Sequence, residues 1–192
     1  MDLFELIKLR RSIRKYRSKQ VPIEDLEKII EAGTYAPNAG GGQRTVIVGV
    51  RNRDLAQKIG QMNLACFDRS RLSGGFVSKE QPSIIDDPSI KSGFYGAPTV
   101  CVIFAQKNFL YSVPDAFCCA ENMVLMATEL GISSCMIARA EETFDNETGA
   151  ELLREWEIPE NYIARCFVLL GYYSGEYPKP KPRKENRSKI IE

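Results

Sequence analysis

Residues Thr99 to Ala105 read Thr-Val-Cys-Val-Ile-Phe-Ala, a run with no charge and no alternation of apolar with polar residues. A strand of that composition has no face fit for water, so both of its faces must be covered. The chain therefore needs a sheet whose two faces are both covered. Ile163 to Tyr172 is a second long apolar strand, and Thr45 to Val50 and Ser134 to Ala138 are shorter ones. Helices are expected between them. The best marked has Pro22 near its first turn, then the acids Glu24 and Asp25, and places Ile23, Leu26, Ile29 and Ile30 on one face before ending near Gly33. Asp2 to Leu9 carries a stripe of Leu3, Leu6 and Ile7, and Asp54 to Leu64 is a short third helix. Asp115 to Leu130 is largely apolar, with Met123 and Met126 as core residues, and is closed by Gly131. Thr148 to about Trp156 stops before Pro159. Helices and strands interleave around one sheet with no internal repeats, which predicts a mixed class of α and β. A length of 192 residues suits one domain, 1–192, with a single core.

Histidine is absent from the whole chain. That excludes Ser-His-Asp and Cys-His nucleophile chemistry, His-ligated metals and a histidine proton shuttle. The cysteines at 66, 101, 118, 119, 135 and 166 form no CxxC, and the one close pair is adjacent, a spacing unsuited to zinc. They read as small buried hydrophobes in a reducing compartment. The opening Met1-Asp2-Leu3-Phe4-Glu5 lacks the basic-then-apolar pattern of a signal, and no apolar run approaches the roughly 20 residues of a membrane span. The expectation is a cytoplasmic protein without metal or membrane.

A net charge of +1 hides an uneven distribution. Lys8, Arg10, Arg11, Arg14, Lys15, Arg17 and Lys19 fall together with no acid among them, and Lys179, Lys181, Arg183, Lys184, Arg187 and Lys189 crowd the other end beside Glu185 alone. These are either two solvated termini or two ends that converge on one anion, for which the arginine fork suits a phosphate. Ala36-Pro37-Asn38-Ala39-Gly40-Gly41-Gly42-Gln43 is a loop whose glycines let bare backbone approach something flat or charged, or else a flexible turn. It is neither a P-loop nor a GxGxxG fingerprint. Residues 66–96 are rich in Ser, Gly and Asp with little periodicity, and are expected to form an irregular loop or mobile lid. Residues 173–192 cannot form a core element and are expected as an extended arm.

Four segments, in order, resemble the FMN-dependent nitroreductase family. Arg10-Arg11-Ser12-Ile13-Arg14-Lys15-Tyr16 is similar to that family's basic RRSxRxF opening. Ala36 to Gln43 resembles its APSxxNxQPW loop, and Glu121 to Cys135 its QNxxLAAxxLGLGSC helix and turn. Ile158-Pro159-Glu160 with Phe167 to Tyr172 resembles its IPE…ALGYP segment. The resemblance covers residues 3 to about 190. It implies a nitroreductase-like α+β fold, with a single mixed or antiparallel central sheet flanked by helices. It implies a homodimer with FMN at the subunit interface and a C-terminal arm wrapping the partner.

By matching position, Arg10, Ser12 and Arg14 are implied to contact the FMN phosphate, ribityl chain and ring, with Arg11 beside them. Pro37, Asn38, Ala39 and Gly41 would approach the flavin from the other subunit. Met136, Ala138 and Arg139 would line the outer face of the ring, and Arg183 with Lys181 would close on the phosphate. The implied activity is transfer of electrons from NAD(P)H to a small oxidant, a nitroaromatic, a quinone or an activated alkene, by ping-pong turnover through flavin N5. The cofactor carries that chemistry, so the missing histidine is no obstacle and no catalytic side chain is expected. Free-flavin or enone reduction, and FMN binding with little turnover, are the alternatives. A nucleic-acid surface at residues 8–19 is disfavoured because Tyr16 is the only aromatic nearby. Three positions depart from the family. Gly41 stands where the loop asparagine belongs, Arg44 and Thr45 replace a Pro-Trp pair, and Arg139 replaces glycine, where it either points away or narrows the pocket.

Overall fold

In the computed structural model, which describes residues 1–68 and 75–192, the continuous apolar run is the second strand of a four-stranded sheet. The strands are β1 (Thr45–Val50), β2 (Thr99–Gln106), β3 (Ser133–Ile137) and β4 (Tyr162–Gly171), in the order β1-β2-β4-β3. Every neighbouring pair is antiparallel. The two strands with no polar face, β2 and β4, are the two central ones. Alternate residues serve opposite cores, as the strand period requires. Val100, Val102 and Phe104 of β2 join Phe167 and Leu169 on one face, while Cys101 and Ile103 join Cys166, Val168 and Leu170 on the other.

The five helices are α1 (Leu3–Leu9), α2 (Ile23–Thr34), α3 (Arg53–Ala65), α4 (Ser112–Glu129) and α5 (Glu147–Glu155). Leu26 and Ile29 of α2 and Ala116, Ala120, Met123 and Ala127 of α4 cover the second face. Ala56 and Ile59 of α3, Leu152 of α5 and a cluster of Phe94, Phe144, Phe167 and Trp156 fill the first. α4 begins three residues earlier than its apolar pattern suggests, because Pro114 is accommodated in a first turn whose N–H groups have no intrahelical partner anyway. Gly131, at φ +70°, ends it in the left-handed conformation that favours glycine.

α1 departs from expectation. Of its stripe only Leu6 is buried; Leu3 is 62% exposed, Phe4 63% and Ile7 47%. Most of its apolar face has no cover among the described residues. Beyond α1, Ser12 bridges to Ser134 and Tyr16 to Tyr173, and the Ile13 N–H donates to the Ser134 carbonyl (2.9 Å). The first basic segment thus lies along the free edge of β3 and the end of β4.

Residues 75–96 carry no helix or strand, in keeping with the irregular segment read from sequence, and are tied down by their own polar groups; positions 69–74 of that segment lie outside the described residues. Gln81, Ser83, Ile84 and Phe94 are buried. The Asp86 carboxylate accepts from the N–H groups of Val77 (2.7 Å), Ser78 (3.3 Å) and Ser83 (2.8 Å) and from the Ser83 hydroxyl (3.1 Å). Burial alone would raise its pKa, but these hydrogen bonds outweigh it and hold the carboxyl below its ordinary value. A carboxyl depressed on folding contributes stability above its unfolded pKa and loses it as pH falls through the folded one. Asp86→Asn should therefore lower Tm at neutral pH, with the gap to the unaltered protein narrowing as pH drops below about 4. A gap that stays constant with pH would show that the ionised form is not what matters.

Candidate functional site

The buried thiol of Cys135, on β3, shows which side chains gather at this edge. Burial pushes its pKa up, while Arg14, Arg10 and a hydrogen bond with Ser12 pull it back. Arg10, Ser12 and Arg14 therefore all act on one buried thiol at this edge. Arg14 is fixed through its backbone, whose N–H donates to Gln81 Oε1 (2.7 Å). Its guanidinium makes only a long bond to the Gln81 carbonyl (3.4 Å) and lies 5.9 Å from the Tyr95 ring centroid. Arg11 is turned differently. Its guanidinium donates to the carbonyls of Lys8 (2.6 Å), Leu9 (3.2 Å) and Arg10 (2.7 Å), where it caps the negative end of α1.

Beside Arg14 a cavity of about 270 Å³ is lined by Met136, Ala138, Arg139, Tyr95 and Ile84. Met136, Ala138 and Arg139 thus do stand next to Arg14. Two polar groups in this region, the Ser134 hydroxyl and the Tyr16 hydroxyl, are buried without a hydrogen-bond partner among the described residues. A buried unpaired polar group costs about 1–3 kcal/mol, so a ligand able to pair here has energy to gain.

The start of the C-terminal segment also meets the first basic one. Gln81, fully buried, accepts from Arg14 and donates to the carbonyls of Ser174 (3.2 Å) and Glu176 (3.3 Å). Tyr177 reaches the Leu9 carbonyl (3.3 Å), and Lys181 Nζ donates to the Val77 carbonyl (2.8 Å). Arg183 is exposed and makes no hydrogen bond or ion pair among the described residues.

Pro37, Asn38, Ala39 and Gly41 are elsewhere. Their loop leads into β1, whose Thr45 pairs with Ala105 at the far end of β2, whereas Ser12 lies beyond β3 near Leu170 and Thr99. The two groups occupy diagonally opposite corners of the sheet. Four inter-strand steps separate them by on the order of 19 Å across the sheet alone. One copy of the chain cannot bring both to one small ligand.

The loop is held open deliberately. Asn38 Oδ1 accepts from the Gln43 N–H (2.8 Å), and the buried Asp115 carboxylate accepts from the Ala39 N–H (3.0 Å). Arg44 donates to the Ala39 carbonyl (3.0 Å) and stacks 4.9 Å over the Phe109 ring. Gly40 and Gly41 have φ of +59° and +63° with open space where a side chain would project. The Gly41 N–H is bonded to the Asn38 carbonyl (3.2 Å).

Arg139 does not point away. Its guanidinium lies 4.0 Å over the Phe67 ring, and both side chains line this cavity and a second one of about 600 Å³. Of the cysteines, 101, 119, 135 and 166 are buried, and burial raises Cys101 and Cys166 to about 12. Cys66 is exposed, against the reading of all six as core residues. Gln81, Asp115 and Asn63 were not singled out from sequence. Each acts on a partner 67 or more residues away, and no local pattern marks it.

The Nitroreductase family model matches residues 7–172. A crystal structure of a nitroreductase with bound FMN from Bacteroides fragilis superimposes with a TM-score of 0.83 at 30% identity, covering 100% of each chain. One from Desulfitobacterium hafniense, also with bound FMN, gives 0.79 at 24% identity over 100% of this chain and 99% of that one. A protein of Archaeoglobus fulgidus named for NADH dehydrogenase and NAD(P)H nitroreductase activity is 29% identical over 91% of this chain and 87% of its own length. Among the described residues no helix is long and apolar enough to cross a membrane, and no cluster of acids and cysteines is arranged to hold a metal ion.

Proposed function

This chain belongs to the nitroreductase family, and from that premise we propose that it is an FMN-dependent oxidoreductase carrying electrons from NAD(P)H to a small oxidant such as a nitroaromatic or a quinone. The observation that carries the reading is that Arg10, Ser12 and Arg14 all act on the Cys135 thiol at the edge of β3, where Arg14 also lines a cavity with Met136 and Ala138 and the Ser134 and Tyr16 hydroxyls are buried without a partner among the described residues. Those groups fit a flat ring with a polar rim and an anionic tail. FMN supplies two-electron exchange with nicotinamide and oxidant, which no side chain in this histidine-free site offers. Arg10 and Ser12 would hold the phosphate and ribityl chain, and Arg14 would place positive charge against the ring edge. Arg183 is free to reach the phosphate, and Lys181 already sits over the same loop. Met136 and Ala138 would keep one side of the ring apolar and exclude water.

Two copies complete the site. The opposite-corner placement of residues 37–41 supports this, because only a partner's loop can reach the flavin held at Arg14. The bare apolar face of α1 offers a surface for that partner. We read residues 173–192 as the arm that crosses to it, since from 179 onward every residue is exposed. Purified protein should be yellow, bleach with NADPH or NADH under anaerobic conditions, and regain colour with a nitroaromatic. A colourless protein that cannot be reconstituted with FMN would refute the reading. Bleaching without reoxidation by any such oxidant would favour a flavin carrier instead.

A further inference from the structure

We infer that Gln81 is a positioning residue of the cofactor site, one buried amide that holds Arg14 and the start of the C-terminal segment in fixed register. The inference rests on the FMN reading and names the residue that sets Lys181 and Arg183 against Arg14. Glutamine is seldom fully buried, because an amide taken out of water must find partners for its oxygen and its two N–H groups. Gln81 is 0% exposed, in a segment with no helix or strand, and each of those groups is used. Its Oε1 accepts from the Arg14 N–H (2.7 Å), and its Nε2 donates to the carbonyls of Ser174 (3.2 Å) and Glu176 (3.3 Å). An N–H on one side and two carbonyls on the other permit only this orientation of the amide. An apolar side chain of the same volume would fill the space; what the amide adds is register.

The main chain of Gln81 completes the clasp. Its carbonyl accepts from the Arg14 guanidinium (3.4 Å), so one residue meets Arg14 at both its backbone and its side chain. Its N–H is fixed in turn by Ser78 Oγ (3.0 Å). The remaining links agree. The Ser174 N–H donates to the Lys15 carbonyl (2.8 Å), and Lys181 Nζ donates to the Val77 carbonyl (2.8 Å). Residues 14–15, 77–81 and 174–181 therefore adjoin, and the Gln81 side chain is bonded to both of the other two segments. No nearby acid takes Arg14 away. Glu80 accepts from the Ser78 hydroxyl (3.1 Å), Asp86 from the N–H groups of Val77, Ser78 and Ser83, and Arg14 has no salt bridge among the described residues. Two contacts to one ligand reinforce each other only when their separation is fixed beforehand. Gln81 fixes it here, between Arg14 and the cations that follow Glu176.

Equilibrium dialysis of FMN against the full chain tests the coupling. In the unaltered protein Arg183→Ala should raise Kd about tenfold, as loss of one charged hydrogen bond would. Gln81→Met, close to glutamine in volume, should do the same alone. In that background Arg183→Ala should add less than about twofold, because the segment that carries it is no longer held to Arg14. Gln81→Glu is the second variant, and it serves if Gln81→Met does not fold. Its carboxylate keeps the acceptor for the Arg14 N–H and cannot donate to the two carbonyls at neutral pH. It should lose the Arg183 dependence in the same way, while hydrogen exchange quickens over residues 172–178 and stays slow at 13–15. An unchanged Kd, or an Arg183 effect that stays about tenfold in both variants, would overturn the proposal. So would exchange that quickens evenly over the whole fold, the mark of a merely structural role. Failure of the flavin reading looks different, since the unaltered chain would then bind no FMN and take this inference with it. A yellow unaltered chain whose variants behave additively overturns the inference alone.

Discussion

Arg14→Ala will release FMN while leaving the fold intact. Arg14 is attached to the scaffold through its backbone N–H, which donates to the buried Gln81 Oε1 and survives the substitution. Its guanidinium holds only a 3.4 Å contact to a carbonyl, so stability should change by less than about 1 kcal/mol. A charged hydrogen bond to the cofactor is worth about 1.5–3 kcal/mol, which translates into an FMN Kd raised about 10- to 100-fold. The positive charge beside the ring also favours the reduced, more negative flavin, so reduction of reloaded protein by NAD(P)H should slow as well. Arg183→Ala is the contrast. A phosphate contact distant from the ring should weaken retention and leave the reduction rate of loaded protein unchanged. Equilibrium dialysis of FMN and anaerobic stopped-flow reduction separate the two. Unchanged retention and reduction in Arg14→Ala would remove this residue from the site.

The difference between those two arginines tracks what sequence makes legible. β2 could be read because doubly buried strands carry a run of apolar residues, and its 99–105 span is reproduced within the strand Thr99–Gln106. The four motifs agree with the family match, since each is a local string. Arg10, Ser12 and Arg14 were grouped by the resemblance of residues 10–16 to the family's opening, a string short enough to be read locally. Gln81 was illegible. It lies in a segment without periodicity, and its role exists only because Arg14, Ser174 and Glu176 arrive from distant parts of the chain. Asp115 stands in the sequence only as the first residue of a helix and acts as a clasp on a loop 76 residues earlier. α1 misled for the opposite reason. Leu3 and Ile7 carry a true apolar stripe, but nothing among the described residues covers it.

That last point leads to the second large effect, which is complementation between two inactive variants. If one flavin needs Arg14 from one copy and residues 37–41 from the other, each dimer has two sites, and every site draws one half from each chain. Asn38→Ala with Asp115→Ala removes two of the loop's three side-chain clasps, freeing the Gln43 and Ala39 N–H groups and loosening the Gly40–Gly41 backbone. That variant and Arg14→Ala should each retain little FMN and turn over slowly as pure proteins. Mixed, unfolded and refolded together, they should regain activity. In a mixed dimer both lesions fall on one of the two sites, because the loop of one chain meets the arginine of the other, and the second site is wholly native. Random pairing of equal amounts makes half the dimers mixed, so about a quarter of all sites should recover native FMN affinity. A site built within one chain allows no recovery at all, since every copy would carry its own lesion. Recovery that follows the proportion of mixed dimers, measured as tightly bound flavin per chain, distinguishes the two arrangements without any assumption about the oxidant.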